Sequence, residues 1–534
     1  MKNQDPKPQT KILIISENTL SIPGQGVLLL AIMKPCIQSI SSRGSSNVLV
    51  DVQCHTSNNL PTIVIVGLAT KAVDEAKERV RSAFATSKLQ LPRKRITLNL
   101  APADVPKTDS CFDLAIALSI LVASGQTLET PLAEQVFIGE LGLDGSVRAV
   151  RGIIGKLVAG RVAGIRDFFI PAANLQQASL VPDIRLYPVS DLSELYVHFA
   201  QIELITPVIT TDGAPIAATQ HSSTALSDIV GQPMAKRCLE IAAAGGHNLL
   251  LSGPPGTGKT MLARALPELL PPLSREEVLE VTHLYSLAGH VLDEIVTSPP
   301  FRSPHHSASQ VAIIGGGSGL RPGEISLSHR GVLFFDEFPE FNRAALEALR
   351  QPLEDHQITI ARANDRATFP ASFIMVATAN PCPCGYYGTD HPCSCAPAAL
   401  THYQQRLSGP ILDRIDLFCN VSEVQHARLL GGETTDESGL TERIASARQH
   451  QARRFTDGNH LNATMTNREI KTKAKLQPAA KLILDQAATN LNVSARAYMR
   501  IIKVARTIAD LADSTVVTAD HISEALTYRQ ATTP

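Results

Sequence analysis

Leu249-Leu-Leu-Ser-Gly-Pro-Pro-Gly-Thr-Gly-Lys-Thr-Met-Leu262 is a short apolar run, a glycine-rich loop and the start of an apolar pattern at helical spacing. Its centre, Gly253, Pro254, Pro255, Gly256, Thr257, Gly258, Lys259 and Thr260, fits the phosphate-loop pattern G-x-x-x-x-G-K-[ST]. Glycines let backbone N–H groups close around an anionic phosphate, and the N-terminus of the following helix adds a favourable dipole. Lys259 then reaches the β- and γ-phosphates and the Thr260 hydroxyl sits on Mg²⁺. A plain Gly/Pro turn ahead of a helix is the alternative. A buried strand before the loop and a helix after it favour the nucleotide, and with it ATP and Mg²⁺ as ligands.

Downstream, Gly331-Val-Leu-Phe-Phe-Asp336-Glu337 is an apolar run ending in two carboxylates. A buried strand delivers its C-terminal acids to the ligand crevice of an open α/β sheet. Asp336 is placed to hold Mg²⁺ and Glu337 to orient and deprotonate the attacking water. Strand-end acids are common, so the pair carries weight only because it follows the phosphate loop within one domain. Next come a helix over 344–353 and two alternating runs, Ile358–Arg362 and Arg366–Phe369, around Ala-Asn-Asp. These predict a hairpin with Arg362 and Arg366 near its tip, a place where exposed charge is ordinary and where a polyanion could also be held. A further strand, Phe373–Ala379, ends at Asn380.

Cys382-x-Cys384 and Cys393-x-Cys395 lie on a loop rich in Gly, Pro and Tyr. Four thiolates there can surround one Zn²⁺ tetrahedrally, with His391 able to replace a cysteine. Four reduced thiols or an iron–sulfur cluster are the competing readings. Pro304-His305-His306 in the 301–330 stretch invites a metal reading, but adjacent residues point apart. A packing or substrate-facing loop is preferred.

The chain of 534 residues is 44% hydrophobic and 19% charged, with net charge −1, which fits about three domains of an ordinary globular protein. The charge excludes a globally basic coat, so nucleic-acid binding must come from local patches. No apolar run approaches ~18 residues, so no membrane span is expected. Val27–Met33 is too short and lacks the basic flank of a signal peptide. Nine cysteines, four of them crowded between 382 and 395, suit a reducing cytoplasm with one metal site rather than a disulfide framework. An irregular tail, 1–25, precedes a mixed α+β domain, 26–200. A Thr/Pro/Ala-rich linker, 201–225, leads to a phosphate-loop α/β domain, 226–424, and then to a mostly helical 425–534. Segment 71–95 carries eight Lys/Arg against three acids, usually a solvated helix face and only weakly a polyanion surface.

Several motifs in order carry a resemblance: the phosphate loop, the acidic pair, Arg321-Pro-Gly-Glu-Ile-Ser-Leu-Ser-His-Arg-Gly331, the hairpin, Asn380-Pro-Cys-Pro-Cys-Gly385 and Leu412-Asp-Arg-Ile-Asp416. With them the chain resembles the YifB/ComM group of magnesium-chelatase-like AAA+ ATPases over roughly residues 45–530. The first domain resembles the Lon-protease-like fold through Ile65-Val-Gly-Leu68, Leu98-Asn-Leu-Ala-Pro-Ala-Asp104, Phe112-Asp-Leu114 and Gly139-Glu-Leu-Gly142. Lon proteases use a serine and a lysine. Aligned by eye, Cys111 stands at the serine position and Ile154 at the lysine position, and an isoleucine cannot take a proton, so peptidase chemistry is not expected. The resemblance also implies site roles. Asp228–Gln232, with Ile229 and Val230, would be the adenine-side box, and Asn380 a sensor of the γ-phosphate. Arg414 would be a finger reaching the neighbouring subunit's nucleotide, and Arg496 a second sensor contacting nucleotide in its own subunit. The group implies a helix-2 insert, a ring, expected to be a hexamer, and DNA, single-stranded or branched, as the thing moved. A chelatase motor inserting metal into a tetrapyrrole and a nucleotide-switched scaffold are the rival readings.

Overall fold

The structure is a computed structural model. It describes residues 36–211, 226–423 and 439–529, apart from 44–45, 68–70, 104–106, 108–109, 128–133, 291–293, 318–319, 363–364, 390, 407–410 and 456–459. The expected tail and the Ala363–Asn364 hairpin tip lie outside the described residues.

In the first domain, alternating apolar residues make one sheet face. Strands β1 (Ile37–Arg43), β2 (Ser46–Ser57), β3 (Thr62–Val66), β4 (Arg95–Ala101), β5 (Gln135–Phe137), β6 (Asp167–Pro171), β7 (Arg185–Val189) and β8 (Val208–Ile209) lie in the order β8-β7-β6-β5-β1-β2-β4-β3. Helices α1 (Ala76–Thr86), α2 (Asp113–Ala123) and α3 (Ile153–Val162) cover it, with Val80, Ala83, Phe84 and most of α2 in the core. Two sequence expectations change here. β8 falls inside the presumed linker, because Thr210 N–H donates to the Ile184 carbonyl and the Thr210 carbonyl accepts from Asp183 N–H, which docks it on β7. A two-residue strand is too short to show a period.

The second change concerns the Lon-like pair. Ile154 is buried and inert, yet Lys156 lies on the same helix with its ammonium on the Ile40 carbonyl (3.4 Å) and the Ser42 hydroxyl (2.6 Å). The Cys111 thiol donates to that same carbonyl at 3.3 Å. A lysine therefore does stand near the cysteine, but both side chains are fully buried, the thiol on a backbone carbonyl and the ammonium on that carbonyl and a serine hydroxyl, which is a packing role. In the basic 71–95 segment, Arg79 chelates buried Asp113 at 2.6 and 3.0 Å, and Arg81 pairs with Glu78. Part of that charge is spent inside the fold.

The second domain is built on an all-parallel sheet of β9 (Leu249–Ser252), β10 (Phe301–Arg302), β11 (Val332–Phe335), β14 (Ile374–Ala379) and β15 (Leu417–Asn420), in the order β10-β11-β14-β9-β15. Between β11 and β14 the chain makes the antiparallel hairpin β12 (Gln357–Arg362) and β13 (Asp365–Pro370). Its strands run apolar on both faces, as a covered parallel sheet requires. Leu249, Leu251, Val332, Phe334 and Val376 face one core; Leu250, Leu333, Phe335, Met375 and Ala377 face another. The first of these cores is closed by α4 (Pro233–Gly245), α5 (Lys259–Leu269) and the carboxy-terminal helices.

Helix α6 (Arg275–Ala288), capped by a Ser274/Glu277 box, packs back on the first domain. The Ser286 hydroxyl accepts from Gly152 N–H at 2.9 Å, and Gln177 donates to the Glu294 carbonyl at 2.9 Å. The expected helix over 344–353 is two short pieces, Arg343–Glu347 and α7 (Arg350–Asp355). Beyond residue 439 the chain is helical: α8 (Leu440–Arg454), α9 (Pro478–Asn490), α10 (Ala495–Leu511) and α11 (Ala519–Thr527). On α10 the face of Ile501, Val504, Ala505, Ile508 and Ala509 is buried, and Ser494 caps its start.

Candidate active site

Parallel strands put every C-terminal end on one edge of the sheet, and the phosphate loop leaves β9 there. A side chain at Gly253 would come within 2.2 Å of the Val421 carbonyl, so only glycine lets the loop begin against β15. Gly258, at φ +86°, starts α5 in a left-handed conformation that suits glycine. The Lys259 ammonium donates to the Gly253 and Pro254 carbonyls at 2.7 and 2.6 Å. Burial draws its pKa down, opposed by Asp336 and Glu337. Ile229, buried, and Val230, half-buried, lie on the turn before α4. Gln232 at the head of that helix donates to the Ser422 carbonyl at 2.6 Å.

Asp336 leaves the end of β11 half-buried. Its Oδ2 accepts from Thr260 Oγ1 at 3.2 Å and its Oδ1 from Thr378 Oγ1 at 2.6 Å. Glu337 is exposed and holds φ +53°, a left-handed conformation costly for a side-chain-bearing residue. Its N–H donates back to Thr378 Oγ1 at 3.0 Å. One buried threonine on the neighbouring strand thus orients both acids. Sequence reasoning missed Thr378, whose only signal is its place two residues before Asn380. Asn380 follows Ala379, which pairs with Ser252 at the mouth of the loop, and the Gly253 N–H donates to the Ala379 carbonyl at 3.2 Å. Lys259, Thr260, Asp336, Glu337 and Asn380 therefore converge on one edge. The arrangement can hold a polyphosphate with its divalent cation and aim one exposed carboxylate at a water.

Arg414 and Arg496 lie at the other end. They line one cavity of about 440 Å³ with Asn248, Phe373 and Asp416, which precede β9, β14 and β15. Arg496, expected to contact nucleotide within its own subunit, is thus placed at the opposite end of the sheet from its own phosphate loop. The reason is that α10 packs along α4 and against the turn before β15, toward the amino-terminal edge, with Thr507 on His247 at 2.7 Å and Arg500 on the Leu412 and Ile415 carbonyls. Arg414 pairs with Glu354.

The four cysteine sulfurs all lie within 4.8 Å of one another. Individual separations are 3.3, 3.5 and 3.8 Å, against about 3.8 Å between ligands of a tetrahedral zinc with 2.3 Å bonds. Backbone N–H groups of Cys384 and Tyr387 donate to the sulfurs of Cys395 and Cys382, as thiolates require. Hydrogen bonding, led by the backbone at Tyr386, pulls the Cys384 thiol down to about 6. The donor set fits one zinc ion. His391 is outside the cluster, stacked edge-on against Tyr386. The loop touches the nucleotide edge, because a Cβ at Gly385 would meet Pro255 at 2.7 Å.

His305 and His306 do not diverge as expected; their rings lie 4.1 Å apart, and among the described residues no third ligand joins them. The hairpin forms with Arg362 opposite Asp365 and Ala361 opposite Arg366, and Arg366 is exposed.

Three family models cover the chain: "Magnesium chelatase, subunit ChlI" over 225–429, "Subunit ChlI of Mg-chelatase" over 52–174 and "Magnesium chelatase, subunit ChlI C-terminal" over 434–529. Competence protein ComM of Haemophilus influenzae is 42% identical over 500 residues, spanning 92% of this chain and 97% of its own. The YifB protein of Escherichia coli is 42% identical over 483 residues, 90% of this chain and 94% of its own. An archaeal Lon protease of Methanocaldococcus jannaschii is 29% identical over 133 residues, 24% of this chain and 20% of its own. The chain belongs to the YifB/ComM family of magnesium-chelatase-like proteins.

Proposed function

We propose that this family member is an Mg²⁺-dependent ATPase that closes head to tail into a ring and moves DNA. The carrying observation is the division of polar machinery between the two edges of one sheet. Loop, acids and Asn380 stand on the carboxy-terminal edge, with Arg414 and Arg496 on the amino-terminal edge. A subunit cannot bring its two edges together. Repeated head-to-tail contact can, and such contacts close into rings.

In that assembly Lys259 and the loop amides bind the β- and γ-phosphates. Thr260 and Asp336 would hold the Mg²⁺, which when bound would neutralise phosphate charge. Glu337, free in solvent, takes the proton of the attacking water, and Asn380 orients that water. The neighbour's Arg414 offers a guanidinium to the charge that builds on the transferring phosphoryl group. Arg496 reaches the same nucleotide from the neighbour's side. The four cysteines hold one structural zinc that braces Asn380 against Pro255. DNA as substrate is supported by exposed Arg366 on the hairpin and by the competence role in the name of the Haemophilus relative.

Mixing tests the two-edge site. Lys259→Ala and Arg414→Ala should each be inactive alone, but a junction of an intact loop with an intact finger arises at half times half, about one quarter, of the contacts in an equimolar ring. Turnover should recover to about one quarter of the parent rate. Mixed rings that stay inactive refute the shared site. Recovery without any stimulation by DNA leaves the ATPase standing and points to the scaffold reading.

A further inference from the structure

The turn that carries Arg414 is fixed from several sides. Asn248 Nδ2 donates to the Arg414 carbonyl at 3.0 Å, while the Asn248 carbonyl accepts from the N–H groups of Asp416 and Leu417, each at 3.0 Å. Asn248 Oδ1 accepts from Met375 N–H at 2.8 Å, tying the same turn to β14. From the helical domain, Arg500 donates to the Leu412 carbonyl at 3.2 Å and to that of Ile415. Backbone motion of the turn would break this set together, so a change in what Arg414 contacts has to come from its side chain. Its Nη2 ends on the Glu354 carboxylate, which is half open to solvent, 52% exposed.

Glu354 sits in the last turn of α7. Two residues later His356 ends that helix at φ +53°, and its carbonyl accepts from Ala371 N–H at 2.8 Å across the base of the hairpin. The first ladder pair, Gln357 with Pro370, follows directly. Six-residue strands then carry the far end of the hairpin about 17 Å from this base. The helix that carries the finger's partner is therefore joined to the hairpin with one capping residue between.

We infer that Glu354 parks the Arg414 guanidinium and connects it to the hairpin, so that engagement of a neighbour's phosphate by Arg414 releases α7 and lets the hairpin move. The inference rests on the reading of Arg414 as a finger. A carboxylate and a phosphate compete for the same fork of N–H donors. Glu354 is half open to water while the Arg414 side chain is only 10% exposed, so the guanidinium leaves this carboxylate when a second anion takes its place. One contact thus links the nucleotide of one subunit to the substrate-facing element of the next, without movement of the finger's backbone.

The test compares Glu354→Gln, Glu354→Ala and Arg414→Ala in full-length assembled protein, with and without single-stranded DNA. Removing the carboxylate takes this ion pair away from the finger, so turnover without DNA should rise about two- to fivefold, and stimulation by DNA should be lost. A second readout uses the absence of tryptophan in the chain: Ala361→Trp places a single fluorophore on an exposed hairpin position. Its emission should shift when a non-hydrolysable ATP analogue is added, and the shift should vanish when Glu354→Gln is added to the reporter. Parent-like turnover with parent-like DNA stimulation in both Glu354 variants overturns the coupling, as does a fall in their turnover without DNA. An Arg414→Ala protein that hydrolyses ATP like the parent overturns the finger reading itself, which separates the two failures.

Discussion

Replacing Thr378 by valine tests the site at the point where one hydroxyl orients two acids. Valine keeps the shape of this buried side chain but removes Oγ1, which donates to Asp336 at 2.6 Å and accepts from the Glu337 amide at 3.0 Å. The first is a hydrogen bond to a charged group, worth about 1.5–3 kcal/mol. The second leaves an N–H without its acceptor beneath a residue already held in a left-handed conformation. If the loss falls on the transition state, turnover drops roughly 10- to 150-fold, at 1.4 kcal/mol per decade. ATP affinity should change by less than about threefold, because the phosphates are held by Lys259 and the loop amides. Single-turnover hydrolysis and binding of a fluorescent nucleotide measure the two separately. Lys259→Ala, which should not bind nucleotide, and Glu337→Gln, which should bind without hydrolysis, bracket the range. Thr378→Ser restores the hydroxyl and should restore most of the rate. Parent-like turnover in Thr378→Val, or an affinity loss as large as the rate loss, refutes the argument.

Three other outcomes are expected. Purified protein should carry about one zinc per chain, lost on changing Cys382 and Cys384 to serine along with protease resistance around 380–400; metal analysis finding no zinc in protein prepared without chelator rules the site out. Replacing Arg362 and Arg366 with alanine should weaken binding of all DNA sequences alike and flatten its salt dependence, since fewer counterions are released. Unchanged affinity and slope would move attention to segment 71–95. Burial, with a smaller contribution from Lys156, holds His283 at the junction of α6 with the first domain down at about 4. Above about pH 6.5 both folded and unfolded states are neutral there and its full contribution is present. As pH falls from 6.5 to 4 the unfolded state binds the proton first, and on the order of 2–3 kcal/mol is lost. Acid melts should show that loss, and His283→Gln should remove its pH dependence.

The phosphate loop, the acidic pair, Asn380, the hairpin and the four-cysteine loop were legible in the sequence because each is contiguous. Leu249–Leu251, Gly258 and Lys259 declare strand, turn and helix within a dozen residues, and the alternation of Ile358–Arg362 with Arg366–Phe369 declares its own partner. Local backbone preference and side-chain period suffice for such features. The tertiary structure alone decided the rest. Thr378 reaches Asp336 only because β14 lies beside β11, and Glu354 reaches Arg414 only because α7 packs over the turn before β15. Lys156 stands by Cys111 because α3 crosses β1, which an alignment of positions along the chain cannot show. Arg496 belongs to the far edge because α10 packs toward the amino-terminal ends of the strands. Nothing in its neighbouring residues records that direction. Strand order and helix placement are set by the burial of two whole sheet faces, a property summed over the domain. Contacts that depend on it are invisible in any short stretch of the chain.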